Sequence, residues 1–231
     1  MLNLHLLRKS FILVALSVVT VLLPLAVHAQ TNSRTRIAIL YFENNAADKS
    51  FAPLAKGLCD MMISDFSKAS QFSVVERNRL EEILKELKLG QTRSFDSATT
   101  AKIGKLLGAE YLVFGSYFEF MGRFRIDARI VKVETGQVVV SVGASGKVDE
   151  FEDLEKKLVA GLHEKMNRPI TSKNTGPQTK QVTLRSANQY GSALDKMDGG
   201  DIKGARELLR DIVESSPDFA LAKETLRKIS K

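Results

Sequence analysis

The chain has 231 residues, of which 44% are hydrophobic and 26% are charged, and its formal net charge is +7. This length suits one ordinary domain with a small appendage. A single cysteine, Cys59, excludes an internal disulfide bond. The excess of Lys and Arg is not accompanied by a groove of interleaved basic and aromatic residues, which argues against nucleic acid as a partner.

The first 29 residues have the pattern of an export signal. Arg8 and Lys9 precede an apolar run over residues 11–25, and Val27-His28-Ala29 provides small residues for cleavage. We therefore predict a signal peptide over residues 1–29 and a mature periplasmic protein, either free there or associated with the outer membrane, with peripheral membrane contact or none. The alternative is an uncleaved membrane anchor.

Residues 30–167 read as one α/β domain, and its first half alternates strands with helices. Residues 36–43 predict a strand that is apolar on both faces, and residues 72–76 predict a second. Ser50 is predicted to cap a helix running to about Ala69. Two more helices are predicted, one ending before Gly90 and one over residues 97–107. The first helix should bury a single stripe of residues: Phe51, Leu54, Ala55, Leu58, Met62 and Phe66.

The second half of this domain predicts an antiparallel meander. Residues 111–120 form an apolar strand, and residues 123–133 alternate apolar side chains with polar ones that include Arg123, Arg125 and Arg129. A turn leads to a third strand from Val138, and a closing helix begins at Phe151. The order of these elements predicts a central mixed sheet flanked by helices.

The C-terminal part reads as a small all-α hairpin, residues 186–231, after a flexible basic linker over residues 168–185. The hairpin is similar to one tetratricopeptide repeat, and a plain helical hairpin is the alternative. One repeat cannot bury its own apolar face, so it must dock on the main domain, pair with another copy or grip a partner.

No constellation of catalytic or ligand-binding residues is evident. His163 is the one His left after signal cleavage, and we expect it to face solvent. Residues 143–147 lack the spacing of a phosphate-binding loop. We therefore predict no catalytic residue, no cofactor, no metal site and no enzyme activity.

Several short motifs resemble the CsgG family of curli secretion proteins over residues 36–162, in their order and spacing: Val74-Val75-Glu76-Arg77, residues 105–109, residues 111–116 and residues 131–136. The resemblance implies a CsgG-like fold, similar also to the N-terminal domain of TolB, and protein partners in the cell envelope. In channel members of the family, two long hairpins extend from this domain into the membrane. Here Phe120 and Arg123 are separated by two residues, so we predict that these hairpins are missing.

The resemblance and the missing hairpins together predict a non-catalytic periplasmic scaffold for the export or assembly of surface structures, curli-like fibres among them, acting with envelope proteins and as a homo-oligomer. The alternatives are a subunit of an outer-membrane secretion channel and an activator of a cell-wall synthase. Partner contacts are assigned to seven residues: Tyr190, Leu194, Ala205, Leu209, Arg123, Arg125 and Arg129.

Overall fold

A computed structural model describes residues 34–46, 48–89, 97–166 and 182–230, which belong to one compact unit. The predicted signal peptide and residues 168–181 of the predicted linker lie outside these ranges. Within the described ranges, no helix combines the length and the apolar character needed to cross a membrane.

The described strands form one mixed sheet, as predicted from the order of the elements. Its strands run in the order β3-β1-β4-β5-β6, and β2 lies beside β4. β1 is parallel to β3 and β4, whereas β4, β5 and β6 are antiparallel neighbours. The strand bounds are β1 Thr35–Ile39, β2 Glu43–Asn44, β3 Phe72–Val74, β4 Tyr111–Phe120, β5 Arg123–Lys132 and β6 Val138–Lys147.

Seven α-helices lie within the described residues, and their bounds are α1 Leu54–Ser67, α2 Arg77–Glu86, α3 Ser97–Leu107, α4 Phe151–Lys165, α5 Leu184–Asp198, α6 Ile202–Ser215 and α7 Ala220–Ile229. The predicted cap at Ser50 is wrong. Ser50 lies in a short 3₁₀ helix, Lys49–Phe51, which Asp48 caps by accepting a hydrogen bond from the Ser50 N–H at 2.8 Å. α1 begins after Pro53, whose fixed φ suits the start of a helix.

The two faces of the sheet are covered differently. On the inner face, the ring of Phe151 in α4 lies 5.4 Å from that of Phe124 in β5. α1 lies beside α4 in this layer and donates a hydrogen bond from Cys59 Sγ to the carbonyl of Ile39 at 3.3 Å. On the outer face, α3 covers one end of β4, where Gly104 lies against Leu112. Elsewhere on this face, the described residues leave Phe118, Phe120, Arg123 and Arg129 exposed.

The C-terminal helices, α5 to α7, dock on the sheet domain. The sequence left open whether they dock there, pair with another copy or grip a partner, and the structure shows docking. α5 packs along α1 on the side away from the sheet. The two backbones cross closely at Gly57 and Gly191, since a Cβ at Gly191 would lie 1.8 Å from the carbonyl oxygen of Pro53. α1 is therefore buried on two sides, and five of its residues outside the predicted stripe are buried as well: Lys56, Gly57, Cys59, Met61 and Ile63.

Candidate interaction surface

The open part of the outer face is a ladder of aromatic and cationic side chains. In the register of β4 and β5, Phe114 lies opposite Arg129, Phe118 opposite Arg125, and Phe120 opposite Arg123. Directly opposed residues of antiparallel strands project to the same side of a sheet. These six residues are called here the arginine–phenylalanine face: Phe114, Phe118, Phe120, Arg123, Arg125 and Arg129.

The exposed aromatic rings of this face are unusual for a sheet with a filled core. Phe118 is 40% exposed, Phe120 is 64% exposed, and Met121 in the adjoining turn is 85% exposed. The turn itself is tight, because Met121 and Gly122 both have positive φ, as in the two-residue turns that join hairpin strands. Large apolar side chains clustered on a surface mark an interaction site more often than scattered ones do.

The charges on the face are mostly positive. Arg125 and Asp127 form a bidentate pair, with both N···O distances 2.7 Å. Arg123 and Arg129 are exposed, and neither has an ion pair within the described residues. The sequence pattern therefore predicted correctly that the three arginines share a wet face, and the structure adds the row of phenylalanines beside them.

The other four predicted contact residues lie inside the protein. Tyr190, Ala205 and Leu209 are fully buried, and Leu194 is 2% exposed. The Tyr190 hydroxyl donates to Asp60 Oδ2 of α1 at 2.6 Å. These side chains hold the C-terminal helices together and against α1, so their positions offer a partner no surface in this structure, contrary to their predicted assignment.

A buried ionic cluster joins α5 to the sheet domain, and sequence analysis missed it. Lys56 Nζ of α1 lies 2.6 Å from Asp198 Oδ2 and 2.8 Å from Asp195 Oδ1. Arg77, the first residue of α2, contacts the same Asp198 carboxylate through Nη1 at 2.7 Å and Nη2 at 3.1 Å. These residues are called the junction cluster: Lys56, Arg77, Asp195 and Asp198.

The junction cluster is close to electroneutral and well hydrogen-bonded. Burial alone raises the pKa of Asp198, but hydrogen bonds from Arg77 and Lys56 outweigh it and hold that pKa below its usual range. Removing one partner of such a buried pair is costly, because the other charge stays desolvated. The cluster therefore fixes the position of α5 on α1.

A second buried acidic group lies where α1, α4 and the start of α7 meet. Glu155 of α4 is 1% exposed, and its Oε1 accepts no hydrogen bond within the described residues. Burial, followed by the nearby carboxylate of Asp65, raises the pKa of Glu155 well above its usual range. A cavity of about 180 Å³ adjoins the pair, and Lys68 and Lys156 also line it. Glu155 is therefore a buried carboxyl group whose raised pKa favours its protonated form.

The expectation for His163 is wrong. Its ring is fully buried and lies 4.3 Å from the ring of Phe66 and 5.1 Å from that of Phe72. His163 sits near the end of α4, and the aromatic side chains of α1 and β3 cover it. A single His within a helical stripe carries no sequence signal that separates this position from an exposed one.

Residues 20–125 match the family described as "Curli production assembly/transport component CsgG". The predicted resemblance to the CsgG family is confirmed. The CsgG-family region runs through β4 into the first residues of β5, so it contains five of the six residues of the arginine–phenylalanine face; Arg129 lies beyond it.

A longer similarity extends through most of the chain. It relates 213 residues, at 26% identity, to a protein of Rhizobium meliloti (strain 1021) named "Putative adenylate cyclase 3". The match takes in 87% of this chain and 33% of that protein, so the chain spans about a third of the length of this curated relative. A match of that extent includes both the sheet domain and α5.

Two solved structures have a partial likeness to this chain. The LpoB C-terminal domain from Escherichia coli aligns with 16% identity and a TM-score of 0.41, over 49% of this chain and 83% of that one. Lipoprotein GNA1162 from Neisseria meningitidis aligns with 14% identity and a TM-score of 0.43, over 58% of this chain and 98% of that one.

Proposed function

We propose that this chain is a non-catalytic, envelope-associated protein that binds other proteins through its arginine–phenylalanine face. The observation that carries the proposal is the outer face of β4 and β5, where exposed rings lie beside Arg123 and Arg129, two arginines that form no ion pair with any residue the structure describes. The CsgG-family region and the predicted export signal support a periplasmic setting. Within it, we propose a role as a scaffold in the export or assembly of surface structures.

The chemistry of the face suits a protein partner with acidic and apolar groups. Aromatic residues and Arg are enriched where protein interfaces are fully buried, and they supply much of the binding energy. Arg123 and Arg129 are free to pair with carboxylates of a partner, while Phe118 and Phe120 offer apolar area. Positive charge at the edge of such a site also speeds the encounter with an acidic surface.

The C-terminal helices have a supporting role in this proposal. They brace α1 through the junction cluster and the glycine crossing, and α1 in turn underlies the sheet. The contact surface is thus presented by a sheet backed by two layers of helices. A rigid scaffold lowers the entropy that a binding site loses when it captures its partner.

The relative named as an adenylate cyclase is compatible with this role. The similarity covers a third of that protein, and we propose that the shared region is an interaction module in both. Among the described residues of the present chain, no group of three His, Cys, Asp or Glu side chains is placed to hold a metal ion. Formation of cyclic AMP from ATP by the purified mature protein would contradict a non-catalytic role.

The test compares two double variants that remove the same charge from exposed positions. Arg123→Ala with Arg129→Ala should abolish capture of an envelope partner by the tagged mature protein, whereas Lys203→Ala with Arg210→Ala, on α6, should leave it intact. Capture that survives the first pair of changes would exclude the face as the binding site. Recovery of a penicillin-binding protein would select the cell-wall activator, and steady ion current in liposomes would select the channel subunit.

A further inference from the structure

β6 is a long strand at the edge of the sheet. It has ten residues, Val138–Lys147, and pairs only with β5 among the described residues. Lys147 at its end is its one charged residue, and it contains no proline. An edge of this length, with its one charge at the end and no proline, is a ready template for another strand.

The free hydrogen-bonding groups of β6 follow from its register. Val148 N donates to the carbonyl of Gly122, and the β5–β6 pairing proceeds from there without a shift to Val140. Because hydrogen bonding alternates along antiparallel strands, the even-numbered residues bond to β5. The N–H and C=O groups of Ser141, Gly143 and Ser145 therefore point away from β5, towards the open edge.

The protein occupies groups of this edge near both ends of β6. At the far end, the Lys147 N–H donates to Glu150 Oε2 at 3.0 Å. A bulge at Val139 shifts the register near the start of the strand, and Lys165 Nζ of α4 donates to the carbonyl of Ser141 at 2.7 Å. α4 otherwise packs on the inner face of the strand, where Gly161 lies against Val142. Gly143 and Ser145 are exposed, so a strand has unobstructed access to them.

We propose that β6 pairs in antiparallel orientation with β6 of a second copy of this chain, about a two-fold axis near Gly143. An antiparallel edge is complementary to itself, because each outward N–H of one copy faces an outward C=O of the other. The pairing brings no like charges together, since it sets Lys147 of each copy beside Val139 of the other and leaves the two Lys147 residues at opposite ends.

The same pairing covers the apolar residues at the start of the strand. Val138 is 53% exposed and Val139 is 48% exposed, and Lys147 and Val148 of the other copy would lie against them. A charged partner strand would find no counter-charge between Val138 and Gly146, so a second copy fits this edge better than an acidic or basic peptide. The proposal does not depend on the proposed function.

Ser145→Pro tests the proposal directly, with Ser145→Ala as the matched control. Proline removes the outward N–H of residue 145 but no bond to β5. Sedimentation over about a hundredfold range of concentration should show a dimer of the mature wild type and of Ser145→Ala, and a monomer of Ser145→Pro. A wild type that stays monomeric, or a folded Ser145→Pro that still forms the dimer, would overturn the proposal.

Hydrogen exchange of the wild-type protein is a second test, which does not require Ser145→Pro to fold. The amides of Gly143 and Ser145 in the wild type should exchange more slowly as its concentration rises into the dimeric range. The amide of Val142, which bonds to β5 in either state, is the internal reference. Exchange at residues 143 and 145 that is independent of concentration would contradict pairing of this edge with a second copy, and a dimer would then have to use another surface.

Discussion

Substitution of Gly191 by Ala should release the C-terminal helices from the sheet domain. The new Cβ would lie 1.8 Å from the carbonyl oxygen of Pro53 and 2.5 Å from its carbonyl carbon. An ordinary contact needs about 3.4 Å, so α1 and α5 must move apart by about 1.6 Å. Overpacking of this kind costs about 1–3 kcal/mol, and strain on the buried ion pairs of Asp198 adds to it. We expect a loss of about 3 kcal/mol in the free energy of unfolding.

Denaturant unfolding of the mature protein measures this loss, and hydrogen exchange shows whether α5 to α7 open before the sheet does. Gly199→Ala is the matched control at the end of the same helix. Its Cβ would approach no atom closer than 3.4 Å, and the φ of Gly199 is −86°, which Ala adopts readily. A Gly191→Ala protein within about 0.5 kcal/mol of the wild type would refute the close crossing of these helices.

Three further changes test buried groups. Asp198→Asn leaves the cations of the junction cluster without their shared carboxylate, and should lower the free energy of unfolding by about 3 kcal/mol at pH 7. Because the pKa of Asp198 is lowered in the native state, this difference should shrink as the pH falls below about 4, which urea titrations at several pH values will measure. Glu155→Gln tests a group whose effect on stability has the opposite pH dependence. The raised pKa of Glu155 means that the native state keeps a proton that the unfolded chain releases above its ordinary value of 4.5, so stability falls with rising pH by at most about 1.4 kcal/mol per pH unit. Gln should remove that slope, and an unchanged slope would show that the pKa of Glu155 is not raised in the native state. Leu209→Asp places a carboxylate at a fully buried site and should reduce the cooperativity or the midpoint of unfolding of the entire chain; a partner-binding defect with unchanged stability would show that Leu209 is a contact residue.

The parts of the fold that depend on local pattern could be predicted from the sequence. Alternation along residues 123–130 separates buried Phe124, Ile126, Ala128 and Ile130 from the wet side with its arginines, and the structure has the same two faces. The predicted third helix, residues 97–107, has the bounds of α3. Such segments form the same element in any context that buries one of their faces.

The parts that depend on distant contacts could not be predicted. The helical pattern places Lys56 on the solvent-exposed side of α1. It is nevertheless buried, because Asp195 and Asp198, about 140 residues later, supply its counter-charges. Glu155 reads as part of a solvated acidic stretch, yet it is buried at the meeting point of three helices. At the start of β6, the bulge at Val139 shifts the register and Val138 is exposed, a local irregularity that the sequence pattern does not indicate.

The glycine crossing decides where the protein can be shortened. A product that ends after α4 would uncover the side of α1 on which Gly57 lies against Ala187, and Lys56 would lose the carboxylates of Asp195 and Asp198. Such a fragment has the full sheet, but apolar residues of α1 are newly exposed to water. It should therefore aggregate or recruit chaperones. Trimming experiments intended to isolate the CsgG-family portion therefore need to retain residues 184–229.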